Sequence, residues 1–583
     1  MSVKYNKEPV VVIPDCEQEA WHGYEQIGQE LARRVAGRTK AVIVIECYPG
    51  VRTEEVMRGL GASLPLQAVF EAEEAALSTQ ELEQRMAPYL TEDRVFGRMA
   101  PFQIEDFYDP SLVRRLRERI ADIAAGIVLV LGFGASLMAE GDVLVYADLA
   151  RWEIQLRYRS KEMGNWREDN KDEDVLRKYK RGYFIEWRTA DRLKRRLAEE
   201  ARIDYYLDTN RKNDPRAVTW NAFMFGLSYT AQRPFRLVPY FDPGVWGGYW
   251  MQEKLGLPER EHPYAWAFDG VPEENSLYFQ YGGIRLESPA VNLVFFQPQA
   301  LLGERVYARF GAEFPIRFDF LDTMGGQNLS LQVHPTAEYM QRTFGLSYTQ
   351  DESYYMLDAM PDAKIYLGLR EGVDADRMMA ELEEAQRGGA AFAAEDYIHI
   401  MPAKKHDHFL IPAGTIHCSG RNAMVLEISA TPYIFTFKLW DWGRLGLDGK
   451  PRPVHLEHGK CNIARDRTAN WVDEQLVNRI ERVAEGDGWV EERTGLHESQ
   501  FIETRRHWFS VPVEHHTEGS VHMLNLVEGD EAIVESPSGA FEPFTVRYAE
   551  TFIIPAAVGV YTIRPGEPSR GKTLATIRAS VRS

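Results

Sequence analysis

The segment LSLQVHP at residues 329–335 places Gln332 and His334 two positions apart in an alternating apolar and polar pattern. In a strand, side chains at i and i+2 lie on one face. Farther along, TQDESYYML places Glu352 at the start of a strand, and IPAGTIH places His417 after a turn. Zinc accepts histidine nitrogen and carboxylate oxygen, and a catalytic zinc keeps one position open. The residues therefore predict either a metal site or, as the alternative, a hydrogen-bonded Gln–His pair on a strand.

These side chains come from separate segments, so a β-rich body must bring them together. From about residue 235 onward, strand-like runs alternate with Gly- and Pro-containing turns, and the tail from about residue 500 is similar. Many short strands with turn signals predict a sandwich or a barrel. One helical pattern, DADRMMAELEEAQRGG, interrupts them at residues 374–389. We therefore predict an all-β body with helical insertions.

The first 210 residues follow a different pattern. Short apolar runs rich in Val and Ile are typical of buried parallel strands. Three such runs are PVVVIP (Pro9–Pro14), KAVIVIECYPG (Lys40–Gly50) and AGIVLVLGFGASL (Ala125–Leu137). Helical patterns such as PSLVRRLRERIADIAAG lie between the runs. This alternation predicts an α/β domain with a doubly wound parallel sheet.

Length and these changes of pattern set the predicted domain bounds. A chain of 583 residues is too long for one hydrophobic core. The segment DTNRKNDPRAVTW is polar and interrupted by proline, as linkers often are. We predict an α/β domain at 1–210, a linker at 211–234, a metal-binding domain at 235–465 and a C-terminal domain at 466–583.

Charge and cysteine usage exclude several classes of function. A net charge of −19 opposes binding to nucleic acid or to an anionic membrane surface. The sequence shows no signal-peptide pattern and no apolar run long enough to span a bilayer. The scattered residues Cys16, Cys47, Cys418 and Cys461 have no CxxC spacing, which predicts reduced thiols in a cytoplasmic protein. Composition leaves the oligomeric state open.

Several segments of the β-rich part stand in the order found in one known family. They are PYFDPGVWGGYWMQEKLGL (Pro239–Leu257), YAWAFDG (Tyr264–Gly270), FPIRFDFLDTMGGQNLSLQVHP (Phe314–Pro335), IPAGTIH (Ile411–His417) and DWGR (Asp441–Arg444). In the tail, LVEGDEAIV and FIIPAAVGVY continue the match. From about residue 235 to the end, the chain resembles the type I mannose-6-phosphate isomerases, metal enzymes of the cupin fold. The resemblance implies a double-cupin body.

The same resemblance implies a site and a reaction. It implies that Zn²⁺ is bound by Gln332, His334, Glu352 and His417, and that the catalytic residue Arg444 lies against a sugar-phosphate substrate. The implied reaction interconverts mannose 6-phosphate and fructose 6-phosphate through an enediol. A general base must move the proton between two carbons. The candidates His455, Glu427 and Lys438 stay open.

The sequence departs from the family in the metal-binding region. Many members carry Lys-x-Glu where this chain has Gln350-Asp351-Glu352, so the cation must come from elsewhere, with Lys404, Lys405 or Arg317 as candidates. Ala265 replaces an acidic residue before Trp266. His406 and His408 are predicted to be surface turn residues, with an accessory metal site as the alternative. The second cupin is predicted to lack a His/Glu set and to be a structural half.

The N-terminal part loosely resembles the uridine-kinase-like P-loop proteins, through GDVLVYADLARWEIQLRYRSKEMGNWREDN (Gly141–Asn170). A working phosphate loop needs GxxxxGK[ST], and PDCEQEAWHGYEQIG, which follows the first predicted strand, lacks it. We therefore predict a degenerate, non-catalytic domain. Lys178, Lys180 and Arg181 are predicted to form a solvated basic face, with a phosphorylated ligand as the alternative.

Two other functions remain possible at this level. The absent lysine and the degenerate domain are compatible with a catalytically silent sensor that binds a sugar phosphate. An isomerase acting on a different phosphosugar, or on an unphosphorylated sugar, is the other alternative. Metal content and turnover distinguish the sensor from the enzymes.

Overall fold

A computed structural model describes residues 4–431, 435–495, 497 and 499–582. The chain forms two compact units that interleave along the sequence. The α/β unit comprises Val10–Tyr229 and Ser276–Phe296. The β-rich unit comprises Met1–Pro9, Thr230–Asn275 and Gln297–Ser583. The segment 276–296 therefore folds with the α/β unit, although it lies inside the range predicted for the metal-binding domain.

The α/β unit is built on a seven-stranded sheet. Five adjacent strands, which include one edge of the sheet, are parallel, and near the other edge Arg216–Thr219 runs antiparallel to both of its neighbours. In spatial order the strands are Ala20–His22, Arg216–Thr219, Tyr205–Asp208, Val143–Asp148, Lys40–Cys47, Gly126–Gly132 and Leu66–Glu71. The central runs are almost wholly buried, as expected for parallel strands covered on both faces. The α/β class predicted for this part agrees with the structure.

Helices follow most of these strands. They are Gly23–Arg34, Thr53–Ser63, Thr79–Leu90, Pro110–Asp122, Ala135–Met138, Arg151–Arg159, Val175–Arg181, Trp187–Glu199, Trp220–Thr230 and Val291–Phe296. The helix Pro110–Asp122 begins where Asp109 accepts hydrogen bonds from the amides of Ser111 and Leu112, a standard N-cap. The segment predicted as a linker contains the strand Arg216–Thr219 and the helix Trp220–Thr230. The domain bounds themselves stay predictions.

One predicted strand of the parallel sheet was misplaced. The run Val10–Ile13 pairs with Ser276–Tyr281, which pairs in turn with Ile284–Pro289, in a separate three-stranded sheet. Two of its residues, Val10 and Val12, are exposed, whereas a central strand would bury them. The central strand is Lys40–Cys47. A degenerate phosphate loop, predicted to follow Val10–Ile13, would therefore follow the central strand Lys40–Cys47 instead.

Residues at the end of the central strand and in the turn after it form contacts within the α/β unit. Arg52, at its end, forms an ion pair with Glu162. Glu46 is buried at the end of the strand and accepts hydrogen bonds from the amides of Gly134 and Ser136, at 2.6 and 2.8 Å. Burial raises the pKa of Glu46 to about 7. The Glu46 carboxyl group thus occupies amides that follow the neighbouring strand Gly126–Gly132.

The predicted solvated face of Lys178, Lys180 and Arg181 is wrong, because all three side chains are buried. Lys178 donates to the carbonyl oxygens of Tyr158 and Lys171, and Arg181 pairs with two glutamates. Burying a charged group is tolerated when it is paired in this way. These cations therefore brace the α/β unit from within.

In the β-rich unit, two sheets form what we call the first sandwich. The six-stranded sheet has the order His408–Ile411, Asp351–Ala359, Ala423–Ala430, Arg317–Asp322, Tyr264–Gly270 and Tyr240–Gly248. The five-stranded sheet has the order Ile398–Pro402, Lys364–Leu369, His417–Ser419, Leu331–Val333 and Phe437–Trp440. Side chains of the two sheets meet between them.

Short helices connect the strands of this unit. They are Trp250–Leu255, Pro298–Leu302, Glu304–Phe310, Ala337–Phe344, Ala375–Gln386, Ala394–Tyr397, Leu456–Gly459 and Ala469–Gln475. The helix Ala375–Gln386, capped by Asp374, confirms the helical insertion predicted from the sequence.

Two further sheets form the second sandwich. The six-stranded sheet comprises Glu481–Gly486, Trp489–Gly495, Ile502–Phe509, Leu574–Val581, His522–Glu528 and Thr551–Ile554. The four-stranded sheet comprises Val513–His516, Val560–Pro565, Glu531–Glu535 and Phe544–Arg547. A buried cluster that includes Phe509, Leu524 and Ile563 joins them. The all-β class predicted for this part agrees with the structure. Along the described residues, no helix is both long and apolar enough to cross a bilayer.

Candidate metal centre

His334, Glu352 and His417 converge inside the first sandwich. The Nε2 atom of His334 lies 3.0 Å from Oε2 of Glu352, and Nε2 of His417 lies 2.8 Å from Oε1. All three side chains are fully buried. Their donor atoms lie within 4.8 Å of one another, and across the described ranges no other set of three His, Cys, Asp or Glu residues does so. The geometry matches the ligand types that zinc prefers.

Both sheets contribute to this cluster. Gln332 pairs with His417 across adjacent antiparallel strands, so the two side chains share a face. His334 follows Gln332 by two residues and lies beside it, as the alternating pattern predicts. Glu352 is the second residue of the strand Asp351–Ala359 in the opposite sheet. The strand start predicted for Glu352 is therefore confirmed.

The two imidazoles are oriented by backbone carbonyls. Nδ1 of His334 donates to the oxygen of Phe435, and Nδ1 of His417 donates to the oxygen of Thr415, each at 2.9 Å. A carbonyl can only accept, so each ring carries a proton on Nδ1 and turns its Nε2 toward Glu352. Metal-binding histidines are commonly fixed by such a contact on the second ring nitrogen.

Two buried atoms of the cluster lack a hydrogen bond. They are Nε2 of His334 and Oε1 of Glu352, although each lies near another polar atom. Buried polar atoms are normally hydrogen-bonded, and exceptions require an explanation. Atoms that are close together but misaligned for hydrogen bonding are expected when they point at a common centre. The three residues thus fit a divalent metal ion.

The electrostatics of the cluster also favour a cation. Burial alone would raise the pKa of Glu352, but His334 and His417 outweigh it and hold that pKa well below its usual range. Burial lowers the pKa of His334, and the adjacent carboxylate raises it above its ordinary value on balance. A fully buried carboxylate requires a neighbouring positive charge. A bound divalent ion would supply it.

Gln332 lies at the edge of the cluster. Its Nε2 is 3.1 Å from Nε2 of His417, while its Oε1 faces the hydroxyl of Ser330 at 3.4 Å. For the amide oxygen to bind a metal, the amide group must rotate by half a turn, which exchanges the positions of its oxygen and nitrogen. Gln332 is thus close enough to be a fourth ligand, and this role stays a prediction.

Gln350, which stands where the resemblance led us to expect lysine, is the centre of a buried network. Its Nε2 donates to Glu352 Oε2 at 2.9 Å and lies 3.3 Å from both Glu427 Oε1 and Ser429 Oγ. Its Oε1 accepts from the amide of Phe435 at 2.8 Å. Burial, and then the charge of Glu352, raise the pKa of Glu427. The sequence analysis noted only that Gln350 lacks a charge, although its spacing of two from Glu352 predicts that both share a face.

Arg317, a predicted substitute for the missing lysine, occupies the same interior. Register pairs Ser429 with Glu352 on one side and with Arg317 on the other, so the three side chains form one cross-strand row. Arg317 donates to Asp319 at 3.0 Å, while its Nε and Nη1 lack a partner. This cation is therefore near the cluster but already shares a carboxylate.

The other proposed cations differ in position. Lys405 pairs with Glu528, and Lys404 is exposed. Lys438 lies directly opposite Gln332 in the antiparallel register and shares its face. Of the base candidates, Lys438 and Glu427 thus face the sandwich interior, whereas Nδ1 of His455 accepts from the backbone amide of Lys438 at 3.4 Å.

Arg444 is held beside the five-stranded sheet. Its guanidinium pairs with Asp441 and donates to the carbonyl oxygen of Asn328 at 2.7 Å. Arg452 pairs with the same Asp441. These contacts fix the orientation of Arg444, and its catalytic role stays a prediction.

The prediction that His406 and His408 are surface turn residues is wrong for His408. His408 begins a strand and is fully buried, and burial, followed by the charge of Arg506, lowers its pKa to about 3. His406 is partly buried, where it contacts Tyr355 and Glu528. Tertiary packing, which the turn-like local sequence does not encode, covers both.

Comparisons with known proteins found one family model and several isomerases that are similar to parts of this chain. Residues 23–232 match a family described as a domain of unknown function, DUF8485. Mannose-6-phosphate isomerase ManA of Bacillus subtilis is 25% identical over 38% of this chain and 66% of its own length. A mannose-6-phosphate isomerase of Streptococcus mutans is 26% identical over 41% and 70%. The chain spans about two thirds of the length of the curated relatives it matches.

Solved structures that are similar to this chain include further mannose 6-phosphate isomerases. A mannose 6-phosphate isomerase structure from Bacillus subtilis is 18% identical, with a TM-score of 0.48, and covers 60% of this chain and 100% of its own. A mannose 6-phosphate isomerase bound with zinc and yttrium is 15% identical, with a TM-score of 0.44, over 60% and 99%. The similarity to a kinase-like domain stays a prediction. About 40% of the chain is homologous to mannose-6-phosphate isomerases.

Proposed function

We propose that the protein is a zinc-dependent aldose–ketose isomerase that interconverts mannose 6-phosphate and fructose 6-phosphate. The observation that carries the proposal is the buried convergence of His334, Glu352 and His417, with unsatisfied atoms facing one another. Homology of about 40% of the chain to mannose-6-phosphate isomerases supports the same class of reaction. Gln332 is the proposed fourth ligand.

The reaction moves a proton between the first two carbons of an open-chain sugar, and negative charge develops on their oxygens. A zinc ion bound here would act as a Lewis acid that stabilises such charge. The protein's own part is to hold the ligands: Gln350 fastens Glu352, and backbone carbonyls orient both histidines. Rigid ligands of this kind keep an open coordination position in a defined place.

Two ionisable side chains that face the interior are suited to proton transfer and substrate positioning. Glu427 is buried beside Gln350 and accepts a hydrogen bond from Ser429 Oγ at 2.9 Å. Lys438 shares the face of Gln332. We propose one of these two as the general base, ahead of His455, which contacts backbone. Arg444, already oriented by Asp441, is proposed to stabilise the enediolate or the phosphate.

An isomerase of a different sugar is the second candidate. The observation that favours it is local charge: Gln350 is neutral, and Arg317 shares its charge with Asp319. A phosphate group would find fewer free cations near the cluster than a Lys-x-Glu sequence provides. A silent sensor is the third candidate. The four cysteines are free, which fits the proposed cytoplasmic location.

Metal analysis combined with a coupled isomerase assay tests the proposal. The full chain should hold about one zinc per molecule. His334→Ala and His417→Ala should each lose zinc and turnover together, with an unchanged circular dichroism spectrum. His516→Ala, an exposed histidine of the second sandwich, is the control and should keep both.

Different results separate the candidates. A His417→Ala protein that isomerises without metal would contradict the proposal. Zinc with turnover of free mannose, but not of mannose 6-phosphate, would favour the second candidate. Zinc and sugar-phosphate binding without turnover would favour the sensor.

A further inference from the structure

The inner faces of the second sandwich change character along their strands. At one end they carry the apolar cluster of Phe509, Leu574, Leu524, Val513 and Ile563. Two to four residues along the same faces, these strands carry histidine, arginine and tyrosine instead. The lack of a metal-binding His/Glu set in this half stays a prediction, but its strands do carry histidines. The sequence analysis did not single out His507, His515 and His522, because no short spacing links them.

We call this region the polar end. Its side chains come from six strands and comprise His507, His515, His522, Tyr561, Arg505, Arg578 and Glu491. The rings of His507 and His515 lie 4.5 Å apart, and His515 stacks on Tyr561 at 5.1 Å. The hydroxyl of Tyr561 lies 2.9 Å from Nδ1 of His522. Contacts thus link both sheets.

Two arginines of the polar end stand directly opposite each other. Arg505 and Arg578 are paired in the antiparallel register, so both guanidinium groups project on the same face. Like charges at directly opposed positions destabilise a sheet. Glu503 pairs with Arg505. Glu491 forms an ion pair with Arg578, and it also contacts Arg505.

Glu491 satisfies these donors only loosely. Its Oε1 is 3.2 Å from Arg505 and 3.5 Å from Arg578, and its Oε2 is 3.8 Å from His507. Charge-assisted hydrogen bonds between nitrogen and oxygen are normally about 2.7–2.9 Å long. One carboxylate is thus spread over three donors. The polar end holds more donor capacity than its own acids use.

Two buried nitrogens have no partner at all. They are Nε of Arg578 and Nε2 of His515. His515 as a whole is 5% exposed, so its nitrogen is not turned toward bulk water. An unsatisfied buried donor is costly for stability. Apolar side chains of similar volume would have completed the core more favourably, so stability alone does not explain these residues.

Glu491 and Glu503 balance the charges of Arg578 and Arg505, so the unused hydrogen-bond donors of the polar end, rather than a net charge, favour an anion over a cation. Burial, together with the charges of Arg578 and Arg505, lowers the pKa of His507 to about 4, although Glu491 opposes them. Burial and Arg578 also lower the pKa of His522. Burial likewise lowers the pKa of His515, so all three histidines are neutral at pH 7. In the part of the chain described, these residues form no three-ligand metal cluster.

We propose that the polar end binds a compact oxyanion, the phosphate or carboxylate group of a small molecule, between Arg578, Arg505 and His515. Arginine presents a planar set of donors that matches two oxygens of such a group. Nε2 of His515 donates to a third oxygen. The side chains of Arg505 and Arg578 are 29% and 11% exposed, which gives the anion a path from solvent. This site is separate from the metal centre and does not depend on the proposed isomerase activity.

Isothermal titration calorimetry of the full chain with inorganic phosphate, and separately with acetate, tests the proposal. The two arms distinguish a phosphate site from a carboxylate site. Arg578→Gln should weaken binding of the preferred anion by about tenfold or more, because it removes a charged hydrogen-bond donor. His515→Phe keeps a ring against Tyr561 but removes the donor, and it should weaken binding in the same direction.

Arg564→Gln is the matched control. Arg564 lies on the strand of Tyr561, and it pairs with Glu535 away from the polar end. Its substitution should leave anion affinity unchanged. Circular dichroism verifies that each variant is folded. If Arg578→Gln does not fold, His515→Phe still tests the proposal. Equal affinities of wild type, Arg578→Gln and His515→Phe would overturn the proposal. So would the absence of binding of either anion at about 10 mM.

Discussion

Gln350 fastens the Glu352 carboxylate, and its removal should loosen the metal centre without abolishing the fold. In Gln350→Ala, Glu352 Oε2 loses a donor at 2.9 Å, and the amide of Phe435 loses an acceptor at 2.8 Å. Both groups are buried, so water does not replace the lost partner freely. The Glu352 side chain gains rotational freedom that a bound metal must then remove.

The magnitudes follow from these contacts. Loss of a hydrogen bond that orients a metal ligand typically weakens metal affinity by about 10- to 100-fold. That factor corresponds to about 1.4–2.8 kcal/mol. The unsatisfied amide and carboxylate should lower the free energy of unfolding of the metal-free protein by about 1–3 kcal/mol. The variant should therefore still fold at 25 °C.

Chelator competition measures the zinc affinity, and urea unfolding in the presence of chelator measures the stability. Gln500→Ala is the matched control, because Gln500 is also buried and donates to the backbone oxygen of Glu352 at 3.3 Å. Gln500→Ala should lower stability but leave zinc affinity within about twofold. If Gln350→Ala also stays within twofold, Gln350 does not position the ligand, and the reasoning fails.

Two further predictions concern stability. The folded pKa of His408 is lowered to about 3, below an unfolded value of about 6.5, so stability is lost as pH falls from 6.5 toward 3. Between pH 7 and pH 5, urea unfolding should show that His408→Phe loses about 2 kcal/mol less than wild type; parallel losses would contradict this. Asp441→Ala leaves the guanidiniums of Arg444 and Arg452 without their shared carboxylate, and should lower unfolding free energy by roughly 3 kcal/mol. Asp530→Ala, in an exposed ion pair, is the control, and an equal loss there would contradict the prediction.

The fold class was predictable because local patterns carry it. Continuous apolar runs at Lys40–Cys47 and Gly126–Gly132 indicated buried parallel strands, and both lie in the parallel sheet. Val10–Ile13 has the same composition but pairs elsewhere, since composition does not specify a strand's partner. The burial of Lys178 and His408 was missed for a related reason. Lys178 lies in a basic run, and His408 follows the polar run at 404–407 while Tyr355, which packs against it, is distant in the chain.

The sequence by itself determined which ligands are available: the spacing of Gln332 and His334, the turn before His417, and the strand that begins at Glu352. Strand periodicity fixes which face of its strand each side chain occupies, so Gln332 and His334 share a face in any β fold. Only the tertiary structure decided that three of them meet within 4.8 Å and that Gln350 anchors one. It alone showed that His507, His515 and His522 share an interior with two arginines. Such meetings depend on the register between strands far apart in sequence, which local residue patterns do not encode.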